Sequence, residues 1–551
     1  MRGMTLREKI AQLVVVPCEG EPRSSRSAEY RKYLHWVRDL RVGGLIMMNA
    51  FENGSMRKDQ PYGMAVFLNR MQKAAAVPLL VGGDFERGDS TRVESELKFP
   101  HAMAFAATGD TSLSRYEGEI TGRQARAIGV PWIFAPVADV NNNPDNPIIN
   151  IRSYGENPEE VAAHVRAFIE GAHASGGPVL VCAKHFPGHG DTATDSHLDL
   201  AVLGVDKARL ESLELVPFRA AIAAGADSIM TAHIAVPALD QPDLPSTLSR
   251  AVLTGLLREE LQFHGLIVTD ALTMNGVAKQ WTPAQSAVKA IEAGADVLLM
   301  PPDPEAAIDG VLHAVKQGRI ARARIDESVR RVLAAKARLG LNRRRTVDPD
   351  ALLDELDQPE DVARVQEIAD RAVTLVRNGG NLLPLPKKAV ASFLVLTESH
   401  YSTEGRDFAR EVRARVPDAR IAILEPSVSD AVFEQALAGT KDAEAVVVAA
   451  FASVAAYRGS VALAGGYPKL LDALIASGKP VVLIALGNPY LVRSFPGVSA
   501  YLAAYSPVPP SEIAAAKALF GEIAIQGRLP VTIPGIAKYG DGIKLALAPM
   551  P

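Results

Sequence analysis

Between positions 184 and 197 the chain reads Lys-His-Phe-Pro-Gly-His-Gly-Asp-Thr-Ala-Thr-Asp-Ser-His, placing three histidines and two aspartates in one short stretch. Pro187, Gly188 and Gly190 make this a loop, so His185 and His189 share no helical face despite their four-residue spacing. Two chemistries suit these residues. In one, Asp195 holds the tautomer of His197 and raises its basicity, giving an imidazole that donates a proton to a leaving group and later withdraws one from water. In the other, His185, His189 and Asp191 are zinc ligands, since imidazole and carboxylate are ordinary ligands of that ion. Asp270 closes the apolar run Leu266-Ile267-Val268-Thr269 and is either an N-cap for the next helix or a member of the same polar pocket.

The scaffold that must gather these groups is legible in the first 340 residues, where short β-branched apolar runs alternate with longer amphipathic segments. The runs are 11–17, 44–48, 78–82, 132–140, 178–183, 227–232, 266–269 and 295–300. Eight βα units in succession predict a (β/α)8 TIM-like barrel, in which reacting groups collect at the C-terminal ends of the strands. Just past the runs stand Asp84 and Glu86, Asp139 and Asn141, Lys184 and His185, His233, and Asp270. One polar pocket explains this better than packing does.

Beyond residue 341 the character changes. The stretch 341–371 is polar and punctuated by Pro349 and Pro359, which predicts a linker. From 372 to 551 a second set of strand-like runs, 392–396, 420–424, 445–450, 480–485 and 498–504, predicts a smaller αβα sandwich domain on a parallel sheet. Its Gly465-Gly466-Tyr467 and Leu486-Gly487-Asn488-Pro489 lack the spacing of a phosphate-binding loop and read as turns.

With 551 residues, 48% of them hydrophobic and 22% charged, the chain is globular rather than disordered. A formal net charge of −4 supplies no global field for a polyanion, so no nucleic-acid partner is expected. No run reaches the roughly 20 apolar residues of a membrane span. The charged start, residues 1–9, lacks the apolar core of a signal peptide. The expected location is therefore cytoplasmic, or secreted if a leader has been removed. Cys18 and Cys182 sit in apolar runs as space-filling thiols, and Asn53-Gly54-Ser55 is a glycosylation sequon that matters only on secretion.

Asp84-Phe85-Glu86-Arg87-Gly88, Asn143-Pro144-Asp145-Asn146-Pro147 leading to Arg152-Ser153-Tyr154-Gly155, the 184–197 loop and Val268-Thr269-Asp270-Ala271-Leu272 together resemble glycoside hydrolase family 3, within it the bacterial β-N-acetylglucosaminidase branch. Ala372-Val373-Thr374-Leu375-Val376-Arg377-Asn378 and Leu383-Pro384-Leu385 resemble the start of that family's αβα sandwich. The resemblance implies that Asp270 is the nucleophile and that His197, oriented by Asp195, is the general acid and base. It implies that Asp84, Arg152, Lys184, His185 and Arg92 bind the hydroxyls of the first sugar, although the surroundings of Arg92 depart from the family's usual glycine pair. No cofactor or metal is needed by that mechanism. The implied substrates are GlcNAc-terminated peptidoglycan fragments or chitooligosaccharides, with phosphorolysis and β-glucosidase activity as variants in the same family. A zinc-dependent hydrolase and a non-catalytic carbohydrate-binding protein are the competing classes. The oligomeric state is open.

Overall fold

The computed structural model describes the chain except residues 2, 21–22, 53–54, 96, 387 and 549–551, so Asn53 and Gly54 of the sequon lie outside the described residues. Eight parallel strands form the first sheet: β1 (Val14–Glu19), β2 (Gly44–Met48), β3 (Leu80–Gly83), β4 (Trp132–Ile133), β5 (Leu180–Phe186), β6 (Ser228–Thr231), β7 (Leu266–Val268) and β8 (Leu298–Leu299). From β1 to β7 each strand pairs with the next in the chain, and β8 pairs with β1. The seam between β7 and β8 is stitched by a parallel bridge from Val268 to Val297 and by the Thr269 N–H donating to the Val297 carbonyl at 3.0 Å. A nearly closed eight-stranded barrel results, as the strand count predicts.

Two details of the barrel depart from expectation. The first apolar run begins inside a helix, Leu6–Ala11, because Thr5 and Glu8 form a reciprocal capping box; β1 starts only at Val14. The fourth strand is two residues long rather than nine. Pro136 has no N–H to continue the ladder, and beyond it pairing with β5 is reduced to a bridge from Val137 to Lys184.

The stretch read as a linker holds a 14-residue helix, Pro359–Ala372, with Pro359 at its first turn where a missing N–H costs nothing. This helix buries Val365, Ile368 and Ala372, and its Asp361 accepts hydrogen bonds from Tyr116 at 2.5 Å and from Arg123 of the barrel.

The second sheet contains β9 (Thr374–Asn378), β10 (Ala391–Leu396), β11 (Arg420–Leu424), β12 (Ala445–Ala452), β13 (Val481–Gly487) and β14 (Ala500–Ala503), in the order β9-β14-β13-β12-β10-β11. The parallel sheet expected from sequence is thus mixed, because β9 pairs antiparallel with β14 at one edge. Along β12 the side chains alternate between two apolar cores. Val446, Val448 and Ala450 enter one, Val447, Ala449 and Phe451 the other, as a sheet covered on both faces requires. The first of these cores also takes in Met103, Ala104, Ala107 and Ile151 from the barrel, so the two sheets are joined by shared apolar packing. Arg528 donates its N–H to the Ala107 carbonyl at 3.0 Å, and Thr532 donates its N–H and hydroxyl to Glu156 at 2.7 and 2.6 Å.

Candidate active site

Five strand ends converge on one mouth of the barrel. After β3, Asp84 and Glu86 face Lys184 of β5: Lys184 Nζ lies 2.8 Å from Asp84 Oδ1 and 2.7 Å from Glu86 Oε1. Arg152 approaches Glu86 with two parallel hydrogen bonds of 2.8 Å each, the planar fork geometry in which guanidinium and carboxylate match. Arg92 reaches Asp84 Oδ2 at 2.5 Å. The departure from the usual glycine pair leaves this arm intact: a short 3-10 turn, Asp89–Thr91, carries Arg92 to the pocket. Three cations and two carboxylates therefore share the floor.

The charges set one another. Burial alone would raise the pKa of Asp84, but Lys184 and Arg92 outweigh it and hold the carboxyl well below the usual range; Glu86 is likewise held down by Arg152 and Lys184 against its burial. Burial would lower the pKa of Lys184, yet Asp84 and Glu86 raise it, so the ammonium persists in a side chain only 2% exposed. Each Asp84 oxygen takes a single donor and so keeps a lone pair free for a hydroxyl, whereas Glu86 Oε1 is filled by Arg152 and Lys184.

Asp139, fully buried beyond β4, organises the histidine loop. His185 Nδ1 stands 2.8 Å from Asp139 Oδ2, and the His189 N–H donates to Asp139 Oδ1 at 2.7 Å. Two glycines let the loop take this path. Gly188 has φ +130°, and a Cβ on Gly190 would lie 1.8 Å from the Val140 carbonyl oxygen. His189 spends both ring nitrogens on hydroxyls, Thr192 at 2.6 Å and Ser196 at 2.9 Å, and burial pushes its pKa down to about 4. Asp191 pairs with Arg209 at 3.1 Å. The side chains considered as zinc ligands are thus tied elsewhere, and no cluster of three His, Cys, Asp or Glu suited to a metal ion occurs among the described residues.

At the end of the loop, His197 Nδ1 faces Asp195 Oδ1 at 2.8 Å, and the His197 N–H donates to the same oxygen at 2.9 Å. Burial raises the pKa of Asp195, but these hydrogen bonds outweigh it, so an ionised carboxylate holds the proton on Nδ1. The loop is fastened to the segment after Asp270: the carbonyls of Ser196 and His197 accept from Gly276 and Asn275 at 3.1 and 3.3 Å. Asp270 itself accepts from the Ala271 N–H at 2.7 Å. Its burial is opposed by His185, His233 and His197, and its pKa falls below the ordinary value. His233, read from sequence only as a strand-end residue, is fully buried between Thr247 at 2.8 Å and the Ala271 carbonyl at 3.0 Å; burial lowers its pKa.

The geometry thus brings Asp84, Arg92, Arg152, Lys184 and His185 into one charged floor and puts Asp195, His197 and Asp270 on segments bonded to each other. Glu86 and Asp139, strand-end residues without an assigned role, prove to be the hubs that hold Arg152, Lys184 and His185. The second domain, which carries no site residue in the sequence reading, also reaches this mouth. Its Tyr490 hydroxyl accepts from Asn141 at 3.1 Å, its Asn488 accepts from Asn150 at 3.4 Å beneath the segment that carries Arg152, and Tyr457 donates its N–H to Asp195 Oδ2 at 2.9 Å.

Residues 5–335 match the family model described as glycosyl hydrolase family 3 N terminal domain, and residues 373–542 match its C-terminal domain. The chain belongs to glycosyl hydrolase family 3. A relative, the β-N-acetylglucosaminidase/β-glucosidase of Cellulomonas fimi, is 34% identical over 376 residues, which cover 67% of this chain and 64% of that protein. A family 3 β-N-acetylglucosaminidase from Paenibacillus sp. str. FPU-7 superimposes with a TM-score of 0.85 at 33% identity, over 96% of this chain and 99% of that one. The β-glucoside phosphorylase BglX bound to 2FGlc gives the same TM-score at 26% identity, over 97% and 95% of the two chains. As a family 3 member, this chain is a glycoside hydrolase.

Proposed function

We propose that this enzyme is a retaining exo-β-N-acetylglucosaminidase that removes terminal GlcNAc from peptidoglycan fragments or chitooligosaccharides. The Asp270 carboxylate attacks the anomeric carbon, the bond to the departing oxygen breaks, and His197 gives that oxygen its proton. Water then loses a proton to His197 and displaces Asp270 from the same carbon, so configuration is retained. Asp84, Arg92, Arg152, Lys184 and His185 hold the sugar hydroxyls. The observation that carries this reading is the Asp195–His197 pair on a loop bonded to the segment following Asp270. An imidazole with an unperturbed pKa of about 6.5 suits proton exchange near neutrality without the tuning a carboxyl group needs.

Hydrolysis of p-nitrophenyl β-N-acetylglucosaminide, with the β-anomer of GlcNAc appearing first by NMR, is the expected result. Absence of turnover by folded protein, or first appearance of the α-anomer, contradicts it. Phosphorolysis is a second reading, supported by the likeness to a phosphorylase and by an acid that carries no negative charge when neutral. Product analysis with and without phosphate separates the two, since only phosphorolysis yields GlcNAc 1-phosphate.

A further inference from the structure

Past β12 the chain enters the loop 453–466, through which the second domain reaches the barrel mouth. The two oxygens of the buried Asp195 carboxylate are divided between domains: Oδ1 serves His197, and Oδ2 accepts the Tyr457 N–H at 2.9 Å. The Tyr457 ring also stands edge-on to the His197 imidazole, with centroids 5.1 Å apart and planes inclined at 63°. Yet this tyrosine is 57% exposed and adopts φ +66°, a backbone region that aromatic residues seldom occupy. Neither fact fits a residue retained for packing. Leu198, exposed beside His197, meets the same loop, because a Cβ on Gly459 would lie 3.1 Å from Leu198 Cδ1. The base of the loop is clamped. Ser453 donates its N–H and hydroxyl to Glu398 at 2.7 and 2.8 Å, and Arg458 pairs with that same carboxylate.

A general acid must stand beside the oxygen joining the two halves of its substrate. A side chain packed on the solvent side of His197 therefore borders the half that departs. We propose that Tyr457 is a positioning and specificity residue: its main chain and ring hold the Asp195–His197 pair, and its exposed ring, with Leu198, forms the platform on which the leaving pyranose stacks. This assignment rests on the glycosidase reading above. It makes the second domain part of the leaving-group subsite.

The test compares two substrates with the same GlcNAc unit: N,N′-diacetylchitobiose, whose leaving group is a sugar that needs a proton, and β-GlcNAc fluoride, whose leaving group is a single atom. Tyr457→Ala is expected to raise KM and lower kcat for the disaccharide, each at least tenfold, while kcat/KM for the fluoride stays within twofold. Tyr457→Phe, which keeps the ring, should restore the disaccharide constants to within threefold of the parent. Equal losses on both substrates, unchanged disaccharide kinetics in Tyr457→Ala, or a Tyr457→Phe variant as impaired as Tyr457→Ala would each overturn the assignment. Failure of the parent enzyme on both substrates overturns the glycosidase reading and this proposal with it; parent turnover beside an unaffected Tyr457→Ala overturns the tyrosine's role alone.

Discussion

As the proposed nucleophile, Asp270 has to be ionised, and its surroundings favour that state: burial works against the charge, but three imidazoles and the Ala271 amide more than compensate. On an aryl leaving group that needs no proton, the acid limb of kcat/KM is therefore expected below the ordinary aspartate value of about 3.9, and a limb at pH 5 or higher would contradict it. Asp270→Asn should lower kcat by at least about 10³-fold while leaving the thermal transition in place. His197→Ala separates leaving groups instead. In kcat/KM, which reports only as far as the glycosyl-enzyme, the loss should be small for nitrophenyl and at least about 10²-fold larger for a sugar, and equal losses would remove His197 from its acid role. The floor is more cooperative. Glu86→Gln removes the charge that holds both Arg152 and Lys184, and is expected to raise KM roughly 10–100-fold in steady-state assays, because the two cations proposed to bind the sugar lose their orientation together. Most of these residues were legible because barrel strands end in side chains that point at one place. That rule found Asp84, Asp139, His185 and Asp270 without reference to any relative, but it gives residues and not partners, so Glu86 looked no different from a solvated strand end.

Individual elements were read with less success where backbone chemistry overrode side-chain pattern. The run 132–140 is apolar enough for a long strand, yet Pro136 ends it early, and the irregular backbone that follows is what turns Asp139 toward the histidine loop. The polar stretch after 341 looked like a linker because its arginines at 343–345, its acidic residues over 348–361 and its two prolines mask a helix that nonetheless buries Val365, Ile368, Ala369 and Ala372. In the loop 453–466 only the Gly465-Gly466 turn is legible, since nothing in the types or spacing of the residues before it points to the barrel mouth. Its attachment makes a separate prediction. Glu398→Ala leaves the Ser453 amide and Arg458 without their shared acceptor, at a stability cost of about 1–3 kcal/mol. Trypsin should then cleave after Arg458 several times faster than in the parent, as followed by gel or mass spectrometry, and an unchanged cleavage rate would mean the loop is held by something else.

Acid should weaken the whole fold in two stages. His189 and His164, both buried, have pKa values pushed down to about 4, chiefly by burial. In the unfolded chain each titrates near 6.5, so between about pH 6.5 and 4 the unfolded state binds more protons and stability falls as the solution is acidified. Each contributes of order 3 kcal/mol, present above pH 6.5 and lost by pH 4. The depressed carboxyls of Asp84 and Glu86 add a loss only further down, below the unfolded carboxylate value of about 4. Urea midpoints should thus drop between pH 7.5 and 4.5, and His189→Gln should flatten that drop; equal midpoints at the two pH values in the parent would refute the argument.

Because the histidine loop's Asp195 carboxylate is satisfied half by its own histidine and half by a main-chain amide from the other fold, grafting this barrel onto a foreign C-terminal partner has a specific requirement. The new partner must present a backbone N–H at the same spot. A chimera that reproduces the apolar seam but not that amide would leave one anionic oxygen buried and unmatched, and would be expected to fold, bind sugar and turn over poorly.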